Sequence, residues 1–520
     1  MGKKTEHAPW TGFLPFVMSA YVIAVLAGML LVYHDFYYDI LETKAIYYCG
    51  CTLLMLFLTG SWLFLTAHPV EALKNFKGKG LFDILSGADL AVLFWGVFVV
   101  LSTVFSPAGR FAFTGEKGRF TGGFLLLMYV AAYFCITRYY RVKEAHMMIF
   151  LAAGMFMCVF GITDFFDMDL LHFKEEIKET QRNMFTSTIG NINTYTSCVA
   201  MVMAFSGVMF GAADSLKKAA GYGVCTVIAF GALIMGESDN AYLSLAMFFG
   251  FLPVYLFRTR RGVKRYLILV ASFFTTAGAV HMLQQRAAGS GAAIHGLFQV
   301  IAGSRFLPVV IVVLWCGAGA FCLLDARGRE KGKDQIMPPW LIKGWLALIV
   351  LAVLLVAWLL YDVNVAGNGD RYGAIKNYLL FNDDWGTHRG YVWRIALEDY
   401  GKFPALQKLL GFGPDTFGII TNSLNYPEMV DRYQETFDSA HNEYLQYLVT
   451  IGPGGLLSYG AIHIAAAVQV IRRKKWDALT AAALLAVLCY DFQATVNINQ
   501  PIATPVMWTL LGISAAPEKP

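Results

Sequence analysis

The sequence predicts an all-α polytopic membrane protein, because of its composition and its long apolar runs. Of 520 residues, 57% are hydrophobic and only 15% are charged, whereas a soluble domain carries about 25% charged residues. Many apolar runs reach roughly 17 residues, the length at which a helix crosses about 30 Å of hydrocarbon. The runs do not alternate with polar residues, and an open sheet cannot satisfy its backbone in lipid. Helices are therefore expected rather than strands.

About fourteen spans are predicted along the chain. Their starts are expected near Thr11, Ala45, Asp89, Gly123, Ala145, Asn191, Ala219, Asn240, Lys264, Arg305, Ile342, Glu443, Trp476 and Pro501. The first run, Thr11 to Tyr33, follows the basic residues Lys3 and Lys4 and is longer than the core of a signal peptide. We therefore expect it to be retained as a span.

The distribution of basic residues predicts that both termini are cytoplasmic. With Lys3 placed inside and the spans alternating, about 25 Lys and Arg fall inside and about 16 outside, seven of them in one long loop. The basic clusters Arg258–Arg265, Arg327–Lys333 and Arg472–Lys475 all fall on the inner side. The predicted location is the cytoplasmic (plasma) membrane.

Three segments are expected: a bundle of about 11 spans over residues 1–361, a loop over 362–442, and the last three spans over 443–520. The loop is polar and acidic, and on the predicted topology it forms an extracytoplasmic cap. A helical stretch from Tyr391 to Tyr400 ends at Gly401 and Pro404. Loops of this length are often functional.

Composition also excludes several classes of function. The net charge of +5 does not indicate nucleic-acid binding, because the basic residues of this chain are distributed according to the side of the membrane on which they are expected. The nine cysteines lie within apolar runs, without metal-ligand spacing or a disulfide framework. No cofactor and no metal are predicted.

The first candidate functional segment runs from Asp438 to Leu445. Asp438 or Ser439 is expected to cap the following span, which would place His441 in its first turn at the outer membrane surface. An imidazole there can accept a proton near neutral pH, and a helix N-terminus favours its uncharged form. Asn442 and Glu443 could orient it. The alternative is a polar turn that only closes the cap.

The second candidate segment supplies two guanidinium groups, those of Arg389 and Arg394, on an acidic loop. Arginine suits a diphosphate because it binds phosphate oxygens in a bidentate fashion and stays charged. The alternative is that both arginines pair with carboxylates of the loop itself. The Gly411–Asp415 turn is not a nucleotide loop, since no strand precedes it and Pro414 lacks an N–H.

Two further outer segments carry candidate ligands. The glycine-rich loop with Arg110, Lys117 and Arg119 is basic on the side where positive charge is disfavoured. An anionic headgroup would explain this, and a chance lapse in the bias is the alternative. Asn191 and Asn193 open a span, either as helix caps or as ligands for sugar or phosphate in a cavity.

Together these segments resemble the O-antigen ligase/polymerase superfamily. The resemblance extends from about Ser106 to Trp508, in the expected order, through Gly115–Gly122, Gly190–Asn193, Arg389–Trp393, Gly411–Phe417 and Ala440–Leu445, followed by Gly452 and Gly455. Each motif alone is weak. Their order, with the long loop immediately before the histidine, is fairly specific.

The resemblance implies a glycosyltransferase C-type bundle that moves a glycan from a polyprenyl (undecaprenyl) diphosphate to an acceptor hydroxyl outside the membrane. It implies that His441 activates or orients the acceptor, a glycan, lipid or wall polymer, and that Arg389 binds the diphosphate. Arg394 and Arg119 are further candidate donor ligands. Asn191, Asn193, Asn442 and Asp239 are candidate substrate ligands, and no metal is required.

One position departs from the family pattern. Where many members carry a Ser-Arg pair, this chain has Ser238-Asp239-Asn240. The missing charge would come from Arg119, Arg394, Arg286 or Arg305, or the donor would bind differently. Asp239 would be unfavourable against a diphosphate, so it is expected to point elsewhere or to act on the acceptor.

Two classes of function fit the sequence. A transferase, either ligase or polymerase, fits the charged residues at the outer ends of the spans. A transporter or flippase of lipid-linked glycan is the alternative, and it predicts charged residues along the middle of several spans with broken helices in both halves.

Overall fold

A computed structural model describes residues 12–66, 85–286, 294–327, 336–473 and 476–517. These residues are almost entirely helical, and the one sheet among them pairs β1 (Phe185–Thr186) with β2 (Gly190–Asn191). The predicted all-α class is confirmed. Met1–Trp10 with its two lysines, Thr11, and parts of two of the basic clusters (328–333 and 474–475) lie outside the described residues.

The helices follow the predicted starts within a few residues. They are α1 (Phe13–Leu31), α2 (Ile40–Thr66), α3 (Gly87–Val104), α4 (Arg110–Thr114), α5 (Gly123–Tyr139), α6 (Glu144–Phe165), α7 (Ile192–Ala212), α8 (Leu216–Met235), α9 (Ala241–Leu256), α10 (Arg260–Arg286), α11 (Gly296–Ala302), α12 (Leu307–Arg327), α13 (Trp340–Asn364), α14 (Lys376–Leu379), α15 (Trp385–Lys402), α16 (Ala405–Leu410), α17 (Phe417–Tyr433), α18 (Glu443–Ile471), α19 (Ala478–Ala494) and α20 (Ala503–Ala515). Short 3-10 turns lie at Glu179–Met184 and Gly369–Ile375.

Ten helices of the described chain are long and apolar enough to cross a membrane. Four apolar helices are shorter, namely α5, α9, α19 and α20. The chain is therefore a multi-pass membrane protein. α7 lies at the centre of the bundle, buried along almost its whole length between α8 and α19. α12 and α13 expose most of their apolar side chains, as expected of helices that face lipid.

α18 is not a straight span but two helices that meet at a sharp bend. Gly452 has φ +77° and ψ 176°, outside the helical region, and Pro453 follows it. In a straight helix, Tyr447 and Tyr459 would lie about 18 Å apart along the axis. Their ring centroids are 4.6 Å apart. The first half of α18 therefore folds back against the second.

The bend is held by hydrogen bonds from the cap to the carbonyl groups that it frees. The N–H groups of Phe412 and Gly413 donate to the carbonyl oxygens of Val449 and Thr450, each at 2.9 Å. The Ser102 hydroxyl donates to the Thr450 oxygen as well, at 2.6 Å. The Gly-Phe-Gly-Pro turn is thus a structural clasp on α18, which agrees with its exclusion as a nucleotide loop.

The segment before α18 has a hydrophobic core of its own. This core consists of Tyr391, Val392, Ile395, Ala396, Phe403, Phe417, Ile420, Met429, Ala440 and Val449. The predicted helix from Tyr391 to Tyr400 lies within α15. Because Ala440 and Val449 also line the core, the cap is joined to the start of α18 by packing as well as by the clasp.

We expect the substitution Gly452→Ala to destabilise the protein. A Cβ at this position would collide with the Leu409 carbonyl oxygen, and a non-glycine residue at positive φ costs about 1–2 kcal/mol before any clash. The measurement is the apparent Tm of the purified protein in lipid nanodiscs.

Gly460→Ala is the matched control for this prediction. Gly460 lies in the second half of the same helix, and a Cβ there would meet no atom within 4 Å. Alanine in a helix interior is favoured over glycine by about 0.5–1 kcal/mol. The Tm of this variant should be unchanged or higher. Equal Tm values for both variants would contradict the strained bend.

Candidate active site

Arg389 is presented by a strained turn at the start of α15. Gly386, Thr387 and His388 have φ of +62°, +59° and +66°, three successive residues in the left-handed region. For non-glycine residues this conformation is costly, and it tends to occur at functional sites. Gly390 allows close packing, since a Cβ there would collide with the Asn382 carbonyl oxygen. The turn therefore fixes where the Arg389 side chain begins.

The guanidinium of Arg389 is half-buried and sparsely paired. Its Nη1 donates to the Gly386 carbonyl oxygen at 3.0 Å. Its Nε is buried and has no hydrogen-bond partner among the described residues. Burial lowers the pKa of Arg389, and the carboxylate of Asp239 acts in the opposite direction. The group stays charged at neutral pH, so its position favours an anionic ligand.

His441 lies just before α18 rather than in its first turn, so the prediction that Asp438 or Ser439 caps the helix is wrong. The N-cap is Asn442, whose Oδ1 accepts from the Leu445 N–H at 3.0 Å. His441 itself has φ +47°. The physical reason is a tertiary contact. The cap is hydrogen-bonded to the backbone at Ala440, one residue before His441, and the helix begins only after that contact.

The backbone of Ala440 is held through both its carbonyl oxygen and its N–H group. Its carbonyl oxygen accepts from the Trp393 indole N–H at 2.9 Å. Its N–H donates to Oε1 of Gln446 at 2.9 Å. Trp393 lies one turn after Arg389 on α15, so one helix of the cap carries the arginine and positions the segment that carries His441.

The electrostatic surroundings keep His441 uncharged. Burial together with the positive charges of Arg389 and Arg119 lowers the pKa of His441 to about 4, and Asp438 offsets only part of this. The group is therefore neutral at physiological pH. The sequence predicted an uncharged imidazole because of a helix N-terminus. In the structure, burial and two guanidinium groups disfavour the charged form instead.

Arg119 is held by a carboxylate. Its Nε donates to Oδ2 of Asp438 at 2.8 Å, and Nη2 donates to Oδ1, so the pair is bidentate. Although burial raises the pKa of Asp438, the pairing outweighs it and the pKa lies below its usual range. Asp415 fixes the rest of the loop, because its Oδ2 accepts from the N–H groups of Glu116 and Thr121 at 2.8 and 3.0 Å.

Arg394 lies in a network of ion pairs on the surface of the cap. It contacts Asp383 at 3.1 Å, Glu398 at 3.1 Å and Glu428 at 3.3 Å. Arg432 contacts Asp383 at 2.9 Å and Glu428 at 3.1 Å. The sequence left open whether these arginines bind a diphosphate or pair with carboxylates of the loop. Arg394 pairs with the carboxylates. Arg389 forms no such pair within the described residues.

The predicted substrate ligands at the start of α7 take part in internal contacts. Asn191 is the N-cap of α7, with Oδ1 accepting from the Asn193 N–H at 2.9 Å. Asn193 joins three elements: its Oδ1 accepts from Ser238 at 2.6 Å and from Asn240 at 3.1 Å, and its carbonyl oxygen accepts from Gln493 at 3.1 Å. Both asparagines therefore hold the span entrance together.

Asp239 differs from its neighbours because it is exposed at the turn between α8 and α9. The negative charge of its carboxylate acts on Arg389. The structure thus brings together His441, Arg389, Arg119 and Asp239. Arg394, Asn191, Asn193 and the capping residue Asn442 make the local contacts described above.

Sequence reasoning missed two features. Asp438 and Asp415 organise the basic loop, a role that only the fold reveals because some 300 residues separate the partners. Glu443 lies in the bundle rather than against His441, fully buried, with hydrogen bonds from the hydroxyls of Tyr447, Tyr459 and Tyr490 at 3.0, 2.8 and 3.1 Å. An acidic residue at membrane depth with tyrosines in the same spans was the available signal.

Comparison with known proteins adds no assignment: no protein-family model and no curated protein matches the sequence. The geometry around His441 and Arg389 and the order of the motifs are therefore the grounds for a functional proposal.

We expect the imidazole of His441 to titrate with a midpoint near pH 4, well below the ordinary 6.5. In Arg389→Gln the midpoint should rise, because removing a nearby positive charge favours the protonated form. The measurement is NMR of histidine-labelled protein in nanodiscs, with His441 assigned by its absence in His441→Gln.

Arg394→Gln is the control for this titration. Its guanidinium is engaged by three carboxylates and is not among the charges that act on His441, so the midpoint should stay. A wild-type midpoint near 6.5, or equal shifts in both variants, would show that Arg389 does not act on the histidine.

Proposed function

We infer that the protein is a membrane glycosyltransferase that moves a glycan from a polyprenyl diphosphate to an acceptor hydroxyl at the outer face of the cytoplasmic membrane. The observation that carries this proposal is a charged, incompletely bonded Arg389 whose positive charge acts on a neutral His441 where the cap meets the bundle. The order of the motifs, which resembles the O-antigen ligase/polymerase superfamily, supports it. A ligase and a polymerase share this donor chemistry and differ in the acceptor.

Arg389 is proposed to bind the donor diphosphate. Its Nε and remaining Nη hydrogens offer donors to phosphate oxygens, and its charge stabilises the negative charge that grows on the leaving diphosphate. In the transfer, the acceptor oxygen bonds to the anomeric carbon while the bond from that carbon to the diphosphate oxygen breaks. The polyprenyl diphosphate leaves with the bonding electrons.

His441 is proposed to take the proton of the acceptor hydroxyl. A neutral imidazole is the form that can do so. With a pKa of about 4 it is a weak base in the free protein. A diphosphate at Arg389 would offset the positive charges that depress this value, and the pKa of His441 would rise towards neutrality in the donor complex. Donor binding would thus prepare the base before the acceptor reacts.

The proposal includes a full topology. All fourteen apolar helices would span the membrane, as a glycosyltransferase C-type bundle with both termini in the cytoplasm, and the cap over residues 362–442 would lie outside. Gly452 would then lie towards the outer side, with the second half of α18 crossing to the cytoplasm and the first half folded back against it. This arrangement would place His441 at the outer membrane surface, within reach of a lipid-linked donor.

The test is deletion of the gene in its host and complementation with wild type, His441→Ala or Arg389→Lys. Surface and lipid-linked glycans are resolved by size on one gel. His441→Ala should abolish transfer. Arg389→Lys should reduce it about 10- to 100-fold, the factor for one lost charge-assisted hydrogen bond, because an ammonium group cannot reproduce the fork of a guanidinium.

The pattern of the deletion strain identifies the acceptor class. Loss of long chains with accumulation of single repeats indicates a polymerase, and long chains retained on the carrier indicate a ligase. His34→Ala and Arg394→Lys are the controls, since His34 is exposed and Arg394 is held by carboxylates of the cap. Should His441→Ala restore the wild-type pattern, a transport or scaffolding role would replace the catalytic one.

The topology is tested by labelling a single cysteine in the cap of a cysteine-free background. Asn382→Cys, at an exposed position beside α15, should react with a membrane-impermeant thiol reagent added to intact spheroplasts. A cysteine at exposed Leu216, at the start of α8, should react only after lysis. Labelling of Asn382→Cys from the cytoplasm alone would overturn the proposed orientation.

A further inference from the structure

A narrow pocket opens between the cap and the bundle, next to the segment that carries His441. Its walls come from the basic loop before α5, the clasp turn, the residues before His441, the first half of α18, and the loop between α19 and α20. The lining residues that bear on its chemistry are Arg119, Asp415, Asp438, Gln446, Tyr447 and Asn499. Arg389 and Asp239 do not belong to this lining.

Asn499 leaves one polar atom in this pocket without a partner. The side chain is 7% exposed. Its Nδ2 donates to the Tyr447 hydroxyl at 2.7 Å, and that hydroxyl donates in turn to Glu443 at 3.0 Å. This chain of donors fixes the orientation of the amide. Its Oδ1 is buried and accepts no hydrogen bond within the described part of the chain, so a ligand that donates would satisfy it.

The charges of the pocket disfavour a diphosphate. Two carboxylates, those of Asp415 and Asp438, face one guanidinium, and Asp438 already holds that guanidinium in a bidentate pair. A neutral ligand with hydroxyl groups meets no such repulsion. The pocket offers it the unpartnered Oδ1 of Asn499 and the amide of Gln446, with the side chains of Leu126 and Ile498 as apolar walls.

We propose that this pocket is the acceptor subsite and that it seats a hydroxyl or hydroxymethyl group of a neutral sugar on the acceptor. The assignment rests on the proposed function. The small open space suits such an arm rather than a whole ring. Asn499 Oδ1 accepts from the sugar hydroxyl, and the Arg119–Asp438 pair forms part of the wall. Arg119 thereby serves the acceptor, and Arg389 alone serves the donor diphosphate.

The position of the pocket accounts for how both substrates reach His441. Asp438 and Ser439 line the pocket and directly precede Ala440 and His441 in the chain. Arg119 in the lining and Arg389 outside it both act on the charge of His441. The histidine therefore lies within range of two differently charged surroundings, one suited to an anion and one suited to a neutral polyol.

The experiment measures steady-state kinetics of the full-length protein in nanodiscs. The donor is the lipid-linked glycan extracted from the deletion strain, and the acceptor is the unmodified acceptor fraction of the same strain. Asn499→Ala should raise the KM for the acceptor about 3- to 10-fold, the factor for one hydrogen bond to a neutral group. The KM for the donor should change less than about twofold, because the substitution removes no contact that binds the donor.

Asn497→Ala is the matched control, because Asn497 lies in the same loop and is similarly buried. It bonds to the Asn193 carbonyl oxygen and to Ser197 rather than lining the pocket. Both KM values should stay near wild type. Thr450 also lines the pocket. Thr450→Val keeps the shape of this side chain but removes its hydroxyl, so it should raise the acceptor KM in the same direction. It covers the case in which Asn499→Ala fails to fold.

The outcomes separate the two proposals. If the wild-type protein transfers no glycan, the proposed function fails. If wild type is active and both pocket variants keep the acceptor KM, the subsite is overturned and the transferase stands. A rise in the donor KM alone would assign the pocket to the donor and overturn the proposal as well. Inhibition of wild type by methyl glycosides of the acceptor sugars, competitive with acceptor and not with donor, is the expected supporting result.

Discussion

A buried carbonyl group that loses its helical partner must find another donor, and this requirement organises the junction between the cap and the bundle. The bend at Gly452 frees the carbonyl groups of Val449 and Thr450 among residues that are almost fully buried. Lipid offers no replacement, and the bundle contributes the Ser102 hydroxyl to the Thr450 oxygen. The clasp supplies a donor to each carbonyl group. Because the clasp belongs to the cap, the bend, the cap and the approach to α18 can form only together.

Charge pairing follows the same logic of compensation for several arginines, but not for Arg389. In the cap, carboxylates hold Arg394 and Arg432, and at the bundle edge Asp438 holds Arg119. Arg389 emerges from a strained turn and contacts a backbone carbonyl oxygen instead. Carboxylates are thus present in this part of the protein, yet none forms an ion pair with Arg389 within the described residues. That it stays unpaired in the described structure is why an anionic ligand is the best account of it.

The apolar runs predicted the helices almost completely, since hydrophobicity over a span is a local property. They could not predict the bend in α18, because the run continues through Gly452 and Pro453, although a Gly-Pro pair is a known breaker. Asp438, Ser439 and Asn442 are all competent N-caps, and contacts of Ala440 with the distant Trp393 decide among them. The partners of Arg119 and Arg394 likewise depend on the fold, so the sequence named these arginines without distinguishing their surroundings.

Part of the strain in the backbone lies in the segments of the proposed site. Thr387, His388, Asp415 and His441 all have positive φ, and each adjoins or carries a candidate site group. Such residues persist only where surrounding contacts outweigh their cost. Here the clasp and the cap core provide those contacts. They fix a neutral imidazole beside an unpaired guanidinium, an arrangement of little use to stability, since both groups are removed from water without a mutual attraction. Stability alone therefore does not account for this geometry, and binding of a charged substrate is the role that we propose for it.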